Sequence, residues 1–492
     1  MKLESGFTFS KVKFDEQKDN HLVISLKAPK IEWEKKRNPI ALIPCVDTSG
    51  SMFGQKIDFV RKTCLKLLDH LRPGDFFGVV TFSDGYQVVE KVVEVTQSSK
   101  DRIKATVGNL CAGGNTNLSG GLLAALEQAN SLDLPKGTTV RVIVLTDGQA
   151  NAGVSDHGGI IKILKGNLGN ATVSAFGYGE GADQELLLDM SNAGKGNYAF
   201  IKNPEDALTA FAKELGGLLS TYGQNIVVDV APHAGHSIVE VLSDVDVAED
   251  SGKAKISLAE ILSEETKHLV IQFRTGPQPQ AFPRQTSVAD ISVTYDVLGD
   301  DGKVEHRSES LKAKVQFVKG GSEQDKPDPD LDQIVGLAQM VQAQIAAEEH
   351  AKAGNYTVAS ASMGNVLNSF SSRGLGSLAN VARKLQGNYS DNDSYTYSSG
   401  YRTSVLSTGS RGMTAFTSDA EAVADMSLFS AANSTQTNFM NAFAEALPGI
   451  KDVPVQPTTV TAQITISPPA PNQPQSKQKS SRGTSKKRSR RW

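Results

Sequence analysis

Cysteine is nearly absent: Cys45, Cys64 and Cys111 are the only three in a chain of 492 residues. Three thiols cannot build the disulfide framework that staples small secreted scaffolds. Cys45 falls in a strand-like apolar run and Cys64 on the apolar face of a helix-like one, which predicts buried free thiols. No apolar run approaches the roughly 18 residues that a membrane-spanning helix needs. The first ten residues, Met-Lys-Leu-Glu-Ser-Gly-Phe-Thr-Phe-Ser, hold no apolar stretch of the signal-peptide kind. These absences predict a reducing, intracellular setting, cytoplasmic by default. Catalytic signatures are missing as well: no Gly-x-x-x-x-Gly-Lys phosphate loop, no Gly-x-Ser-x-Gly elbow, no His-Glu-x-x-His helix.

What is present is an ordinary globular composition, 39% hydrophobic and 21% charged, in a chain longer than one core usually serves. Several domains are therefore expected. The formal net charge of −3 conceals an asymmetry. Ser476 to Trp492 carries eight Lys or Arg and no acid, so the remainder carries −11.

One stretch organises the rest. Ile40 to Val46 is almost wholly apolar and ends in Asp47-Thr48-Ser49-Gly50-Ser51. The run reads as a buried parallel strand. Asp47, Ser49 and Ser51 then lie just past its carboxyl end, where open α/β sheets place ligands. Oxygen donors of this kind suit Mg²⁺ or Mn²⁺ better than zinc. The same residues also favour turns and helix N-caps. Two later stretches tip the balance. Gly113-Gly114-Asn115-Thr116-Asn117 places a hydroxyl in a glycine-rich loop before an apolar helix, and Val140 to Thr146 is a second buried strand, ending in Asp147-Gly148.

Asp47-x-Ser49-x-Ser51, then Thr116, then Asp147 in Thr-Asp-Gly resembles the metal-ion-dependent adhesion site of von Willebrand factor type A domains, in the family's order. The resemblance covers about residues 38–222. It implies a Rossmann-like, doubly wound and mostly parallel sheet whose metal ligands are Asp47, Ser49, Ser51, Thr116 and Asp147. The ion it implies is Mg²⁺, with Mn²⁺ or Ca²⁺ as substitutes. In the family the ion takes an Asp or Glu of a partner protein as its last ligand. The rim expected to choose that partner includes Met52, Phe53, Asp84, Asn115, Asn117 and Gln149. An AAA+ ATPase is a partner that cytosolic relatives suggest.

Periodicity organises the rest of the chain. Residues 1–37 hold two strand-like runs, the first changing its apolar face between Phe9 and Val12, as a bulge would make it do. Residues 38–222 alternate strand and helix. Residues 223–320 return to period two and predict a β-sandwich. The N-terminal strands need partners, so the A-type domain is expected to be inserted in that sandwich. A linker at 321–329 leads to a helical hairpin or bundle at 330–386, capped by Asp330. A Ser/Tyr/Gly-rich flexible segment is expected at 387–415, a helix at 416–447, and a disordered Pro-rich and basic tail at 448–492. The fold class is thus multidomain: α/β, all-β and α.

Two other functions compete with metal-bridged binding. Arg482, Lys486, Lys487, Arg488, Arg490 and Arg491 could contact nucleic-acid phosphates or act as a nuclear address, with Trp492 free to stack on a base. A metal-dependent hydrolase would need a general base, for which Asp84 and His157 are the nearby candidates. Asp84 lies in a Ser-Asp-Gly turn and His157 follows Ser155-Asp156, a sequence that predicts a helix start, so structural roles are expected for both and the enzyme reading is the minor one.

Overall fold

The computed structural model describes residues 1–30, 38–131, 133–179, 181–201, 204–243, 245–281, 284–298, 304–319, 326–397, 402 and 406. The chain begins with β1 (Lys2–Phe7), β2 (Lys11–Lys13) and β3 (Lys18–Lys27). Next come β4 (Ile40–Asp47), α1 (Gln55–His70), β5 (Phe76–Phe82), β6 (Tyr86–Glu94), α2 (Gln97–Gly108), α3 (Leu118–Asn130), β7 (Thr139–Thr146), α4 (His157–Asn167), β8 (Ala171–Tyr178), α5 (Gln184–Ala193), β9 (Lys195–Ile201) and α6 (Pro204–Leu219). Seven strands follow: β10 (Thr221–Pro232), β11 (His236–Val241), β12 (Asp246–Asp250), β13 (Lys253–Leu262), β14 (Thr266–Thr275), β15 (Thr286–Leu298) and β16 (Val304–Val318). The helices α7 (Pro329–Lys352), α8 (Tyr356–Arg373), α9 (Gly376–Asn388) and α10 (Asn392–Tyr397) complete the described elements.

Strands β4 to β9 form one sheet in the order β6-β5-β4-β7-β8-β9, parallel except for the edge strand β6. Its central strands are apolar on both faces because both are covered. Leu42 and Val46 share a core with α1, α2 and α6, whereas Ala41, Ile43 and Cys45 pack with α3, α4 and α5. The chain leaves β4 toward β5, and β7 lies on β4's other side. Parallel strands that diverge in this way open a crevice at their carboxyl ends, and Val46 pairs there with Leu145.

This α/β domain is inserted in a sandwich. One sheet has the order β1-β3-β14-β11 and the other β12-β13-β10-β15-β16-β2. Leu22, Ile24 and Leu26 of β3 face Ile226, Val228, Ile291 and Phe317 across the core. Strand β3 pairs with β14 from Lys18↔Thr275 to Lys27↔Thr266, so partners about 240 residues apart in sequence close the sheet. The change of face after Phe9 is not a bulge. The chain crosses to the second sheet, where β2 runs parallel to β16. Crossing between layers reverses which side faces the core, and a sequence pattern cannot separate that from a bulge.

The remaining helices cover the outer face of the four-stranded sheet, where Val23 and Val270 meet Val335, Ala338 and Phe370. The N-cap of α7 is Asp328, not Asp330: its carboxylate accepts the N–H groups of Asp330 (3.0 Å) and Leu331 (3.1 Å), and Pro329 takes the first helical turn. A second difference concerns the expected flexible segment. Among its described residues, Tyr389 is fully buried and Arg402 nearly so. The Tyr389 and Tyr395 hydroxyls donate to the Glu348 carboxylate (2.6 and 2.8 Å), Arg402 Nε donates to the same group (2.8 Å), and its guanidinium lies 3.7 Å from the centroid of the Tyr395 ring. Tyrosine supplies a large apolar ring with one polar atom to satisfy, so a segment poor in aliphatic residues still packs. The expected helix at 416–447 and the expected tail at 448–492 lie outside the described residues. Among the described residues no helix is long and apolar enough to cross a membrane.

Candidate functional site

The β4 strand delivers Asp47 to the crevice with its side chain buried. One carboxylate oxygen accepts the backbone N–H of Ser49 at 2.7 Å, which folds the next residues into a tight turn. The other accepts the Thr146 hydroxyl from the end of β7. Burial pushes the Asp47 carboxyl above its ordinary range, while the Ser49 and Thr146 hydrogen bonds pull the other way. Ser49 Oγ lies 3.0 Å from Ser51 Oγ, and Ser51 Oγ donates to Asp147 Oδ1 at 2.7 Å. The ammonium of Lys56, at the start of α1, pairs with the other Asp147 oxygen.

Thr116 arrives from a different part of the chain. Its loop is stitched to the first one by Gly50 N–H to Gly114 O (3.0 Å) and Gly113 N–H to Thr48 O (2.8 Å). Its own N–H is held by Asn151 Oδ1 at 2.8 Å. Gly148 lies between the hydroxyls: a Cβ there would stand 3.3 Å from Thr116 Oγ1 and 3.5 Å from Ser51 Oγ. All five sequence-predicted ligands therefore converge on the carboxyl edge of β4 and β7. They are two acids and three hydroxyls, four of them almost wholly buried. The site thus gathers two buried carboxylates, one of them paired with the Lys56 ammonium, and three hydroxyls, oxygen donors that suit a small hard cation.

The predicted rim fares unevenly. Phe53, Asn115 and Gln149 are exposed. Met52 is not a rim residue: it is fully buried in the core between the sheet and α1, because the short helical turn Gly50–Met52 points it inward. Asn117 caps α3 through Gly120 N–H (3.0 Å). Asp84 clamps the Thr116 loop, accepting both the backbone N–H (2.9 Å) and the side-chain amide (2.6 Å) of Asn115. His157 contacts Asp183 at 2.8 Å. Its neighbours Glu185 and Asp189 bring their ligand atoms within 4.8 Å of its own. Glu185 already holds Lys352, so this group forms an ionic seam between α4, α5 and α7.

Sequence reasoning missed Lys56 and Thr146; Tyr86 and Val154 lie within the loops Ser83 to Gln87 and Gly148 to His157, which were expected to form the rim. Thr146 was within the Thr-Asp-Gly motif yet was read only as the strand's last residue. Missed as well was Arg141, although a charge in the middle of an apolar strand is itself a signal. Arg141 is fully buried, 3.3 Å from Glu214 Oε1 and 2.6 Å from Glu260 Oε1, and donates to Ser174 Oγ at 3.2 Å. Glu260 belongs to β13, so Arg141 ties the α/β domain to the sandwich.

Comparison with known proteins agrees with this geometry. The profile of the von Willebrand factor type A domain matches residues 42–214. An uncharacterized protein of Synechocystis, sll0103, is 26% identical over 350 residues, covering 67% of this chain and 78% of that protein. Human inter-alpha-trypsin inhibitor heavy chain H1 is 30% identical over 192 residues, or 38% of this chain. YfbK of Escherichia coli is 28% identical over the same length. The chain spans only 20% and 33% of the lengths of these last two relatives. Among solved structures, a von Willebrand factor type A protein from Catenulispora acidiphila superposes with a TM-score of 0.62 at 16% identity, covering 84% of this chain and 97% of its own. The ArnB paralog VWA2 from Sulfolobus acidocaldarius gives 0.52 at 14%, covering 83% and 98%. The likeness to these two extends past the α/β domain into the flanking layers. By sequence profile and by fold, residues 42–214 of this chain are a von Willebrand factor type A domain.

Proposed function

We propose that this chain is a non-enzymatic protein-binding module. Its site holds Mg²⁺, replaceable by Mn²⁺ or Ca²⁺, through Asp47, Ser49, Ser51, Thr116 and Asp147, and the ion takes a carboxylate of a partner protein. The observation that carries this reading is the linked set Ser49–Ser51–Asp147 beside buried Asp47 at the crevice between β4 and β7. Three of the five ligands are neutral hydroxyls. A cation held this way keeps much of its charge uncompensated and favours an added carboxylate. The two candidate general bases are engaged elsewhere, Asp84 on Asn115 and His157 on Asp183, which supports binding over hydrolysis. The thiols are free, with Cys45 and Cys64 buried, consistent with a reducing compartment.

The test is capture of partners by the full chain in Mg²⁺ and in EDTA, with Asp47→Ala alongside. Partners lost on both chelation and substitution support the reading. Partners indifferent to both, but released by salt or by removal of the residues after Gln475, would overturn it and move the function to the basic tail. An AAA+ ATPase among the metal-dependent partners would match the expectation from cytosolic relatives.

A further inference from the structure

The loops at the carboxyl edge have an unusual composition. Residues 52–55, 83–87, 111–117 and 148–157 contain no Lys and no Arg. They do contain three of the large hydrophobic side chains left most open to solvent: Phe53 is 81% exposed, Tyr86 53% and Val154 39%. Among the described residues only Val239, Val247 and Val358 join them in being large, apolar and exposed, and those three lie on the sandwich and on α8. An apolar group in water loses the stabilisation that burial would bring, and apolar side chains gathered at one place mark an interaction surface.

The three are arranged around the Thr116 loop. Phe53 follows the turn that ends in Ser51, with its N–H on Gly50 O (3.3 Å), and Gly50 N–H reaches Gly114 O. The Tyr86 ring lies against Gly120, at the start of α3, where a Cβ would meet it at 3.0 Å. Val154 N–H is fixed by Ser119 Oγ at 2.9 Å. Phe53 is thus tied through Gly50 to the Thr116 loop, and Tyr86 and Val154 sit against the first turn of α3, which follows that loop. Exposed polar groups, Asn115 and Gln149, lie on the same edge.

We propose that Phe53, Tyr86 and Val154 form an apolar collar that selects a protein segment whose metal-binding Asp or Glu is flanked by large apolar side chains. This rests on the metal-bridged reading above and specifies its partner. The collar loops themselves carry no ammonium or guanidinium, and the Lys56 ammonium next to them is already paired with Asp147, so discrimination among metal-bound carboxylates falls to their apolar neighbours. The same lack of cations disfavours phosphate-bearing surfaces, whether nucleic acid or anionic lipid, which are bound through Lys and Arg. Aromatic anchors such as Phe53 and Tyr86 supply much of the energy of protein interfaces when a partner's apolar side chains cover them and exclude water.

The experiment measures binding of two fluorescent peptides to the full chain, one with Phe-Glu-Leu and one with Ser-Glu-Ser at its centre, in Mg²⁺ and in EDTA. The proposal expects the apolar-flanked peptide to bind at least about tenfold more tightly in Mg²⁺. It also expects Phe53→Ser with Tyr86→Ser to erase that preference without weakening the Ser-flanked peptide, and Val358→Ser to change nothing. Equal affinity for both peptides in Mg²⁺ would overturn the collar and leave the metal site standing. Failure of both peptides in Mg²⁺ would overturn the metal-bridged reading and the collar with it. Equal binding of the apolar peptide in EDTA, or sedimentation with phosphatidylserine vesicles that is abolished by Phe53→Ser, would show the apolar residues serving something other than a metal-bound acid.

Discussion

Replacing Arg141 by Ala should destabilise the protein by about 3–5 kcal/mol, the range for breaking one side of a buried ion pair. Arg141 is 1% exposed and Glu214 is 2% exposed, so neither charge can turn to water when its partner is removed. Glu214 would keep Ser174 Oγ at 2.7 Å and the Asn197 amide at 2.5 Å, which solvate its charge without neutralising it. Glu260 matters less to that cost, since its side chain is 19% exposed. Against a total of about 5–15 kcal/mol for a folded unit, the loss is large. Denaturant unfolding of the full chain, followed by circular dichroism, measures it. The double variant Arg141→Leu with Glu214→Leu should recover most of the loss, because well-packed apolar residues replace a buried pair at little net cost. A cost below about 1 kcal/mol for Arg141→Ala, or no recovery in the double variant, would refute this account of the network.

Mg²⁺ at a hundred times its dissociation constant should raise the unfolding free energy by about 2.7 kcal/mol, and Asp47→Ala should abolish that rise in a thermal melt. Burial pushes the His268 ring down to about 4, with Ser25 Oγ at 2.9 Å from Nδ1 and Lys27 and Glu4 as the facing charges. The unfolded chain therefore takes up the proton first, and stability should fall as pH drops from about 6.5 toward about 4, by on the order of 3 kcal/mol across the window. His268→Gln should flatten that part of the pH profile, and an unchanged slope would count against the assignment. Tyr389→Phe keeps the buried ring and loses the hydroxyl's bonds to the Glu348 carboxylate and Gln344, so it should cost about 1.5–3 kcal/mol, whereas Tyr389→Ala should cost about 3–5 kcal/mol; equal losses in the two would show that the ring is not packed as described.

Local chemistry was readable from the residues alone. An apolar run that stops at Asp47 must place that acid at a strand end, and the order Asp47, Ser49, Ser51, Thr116, Asp147 pointed to one fold edge through its resemblance to the adhesion site of a known family. Alternating periods likewise separated the α/β domain from the strands around it. What tertiary structure decided was which faces meet. A period of two says that Leu22, Ile24 and Leu26 share a side, but only the pairing of β3 with β14, far apart in sequence, says that the opposite side, with Val23, is covered by helices. Met52 read as a loop residue because hydropathy does not record the direction of a single helical turn. Tyr389 and Arg402 read as loose chain because their burial depends on both finding the Glu348 carboxylate of α7 across the bundle. Arg141 is tolerable inside a strand only because Glu214 and Glu260 come to it from two other elements. Side-chain identity fixes what a residue can bond to, whereas burial and partner choice are properties of the assembled layers.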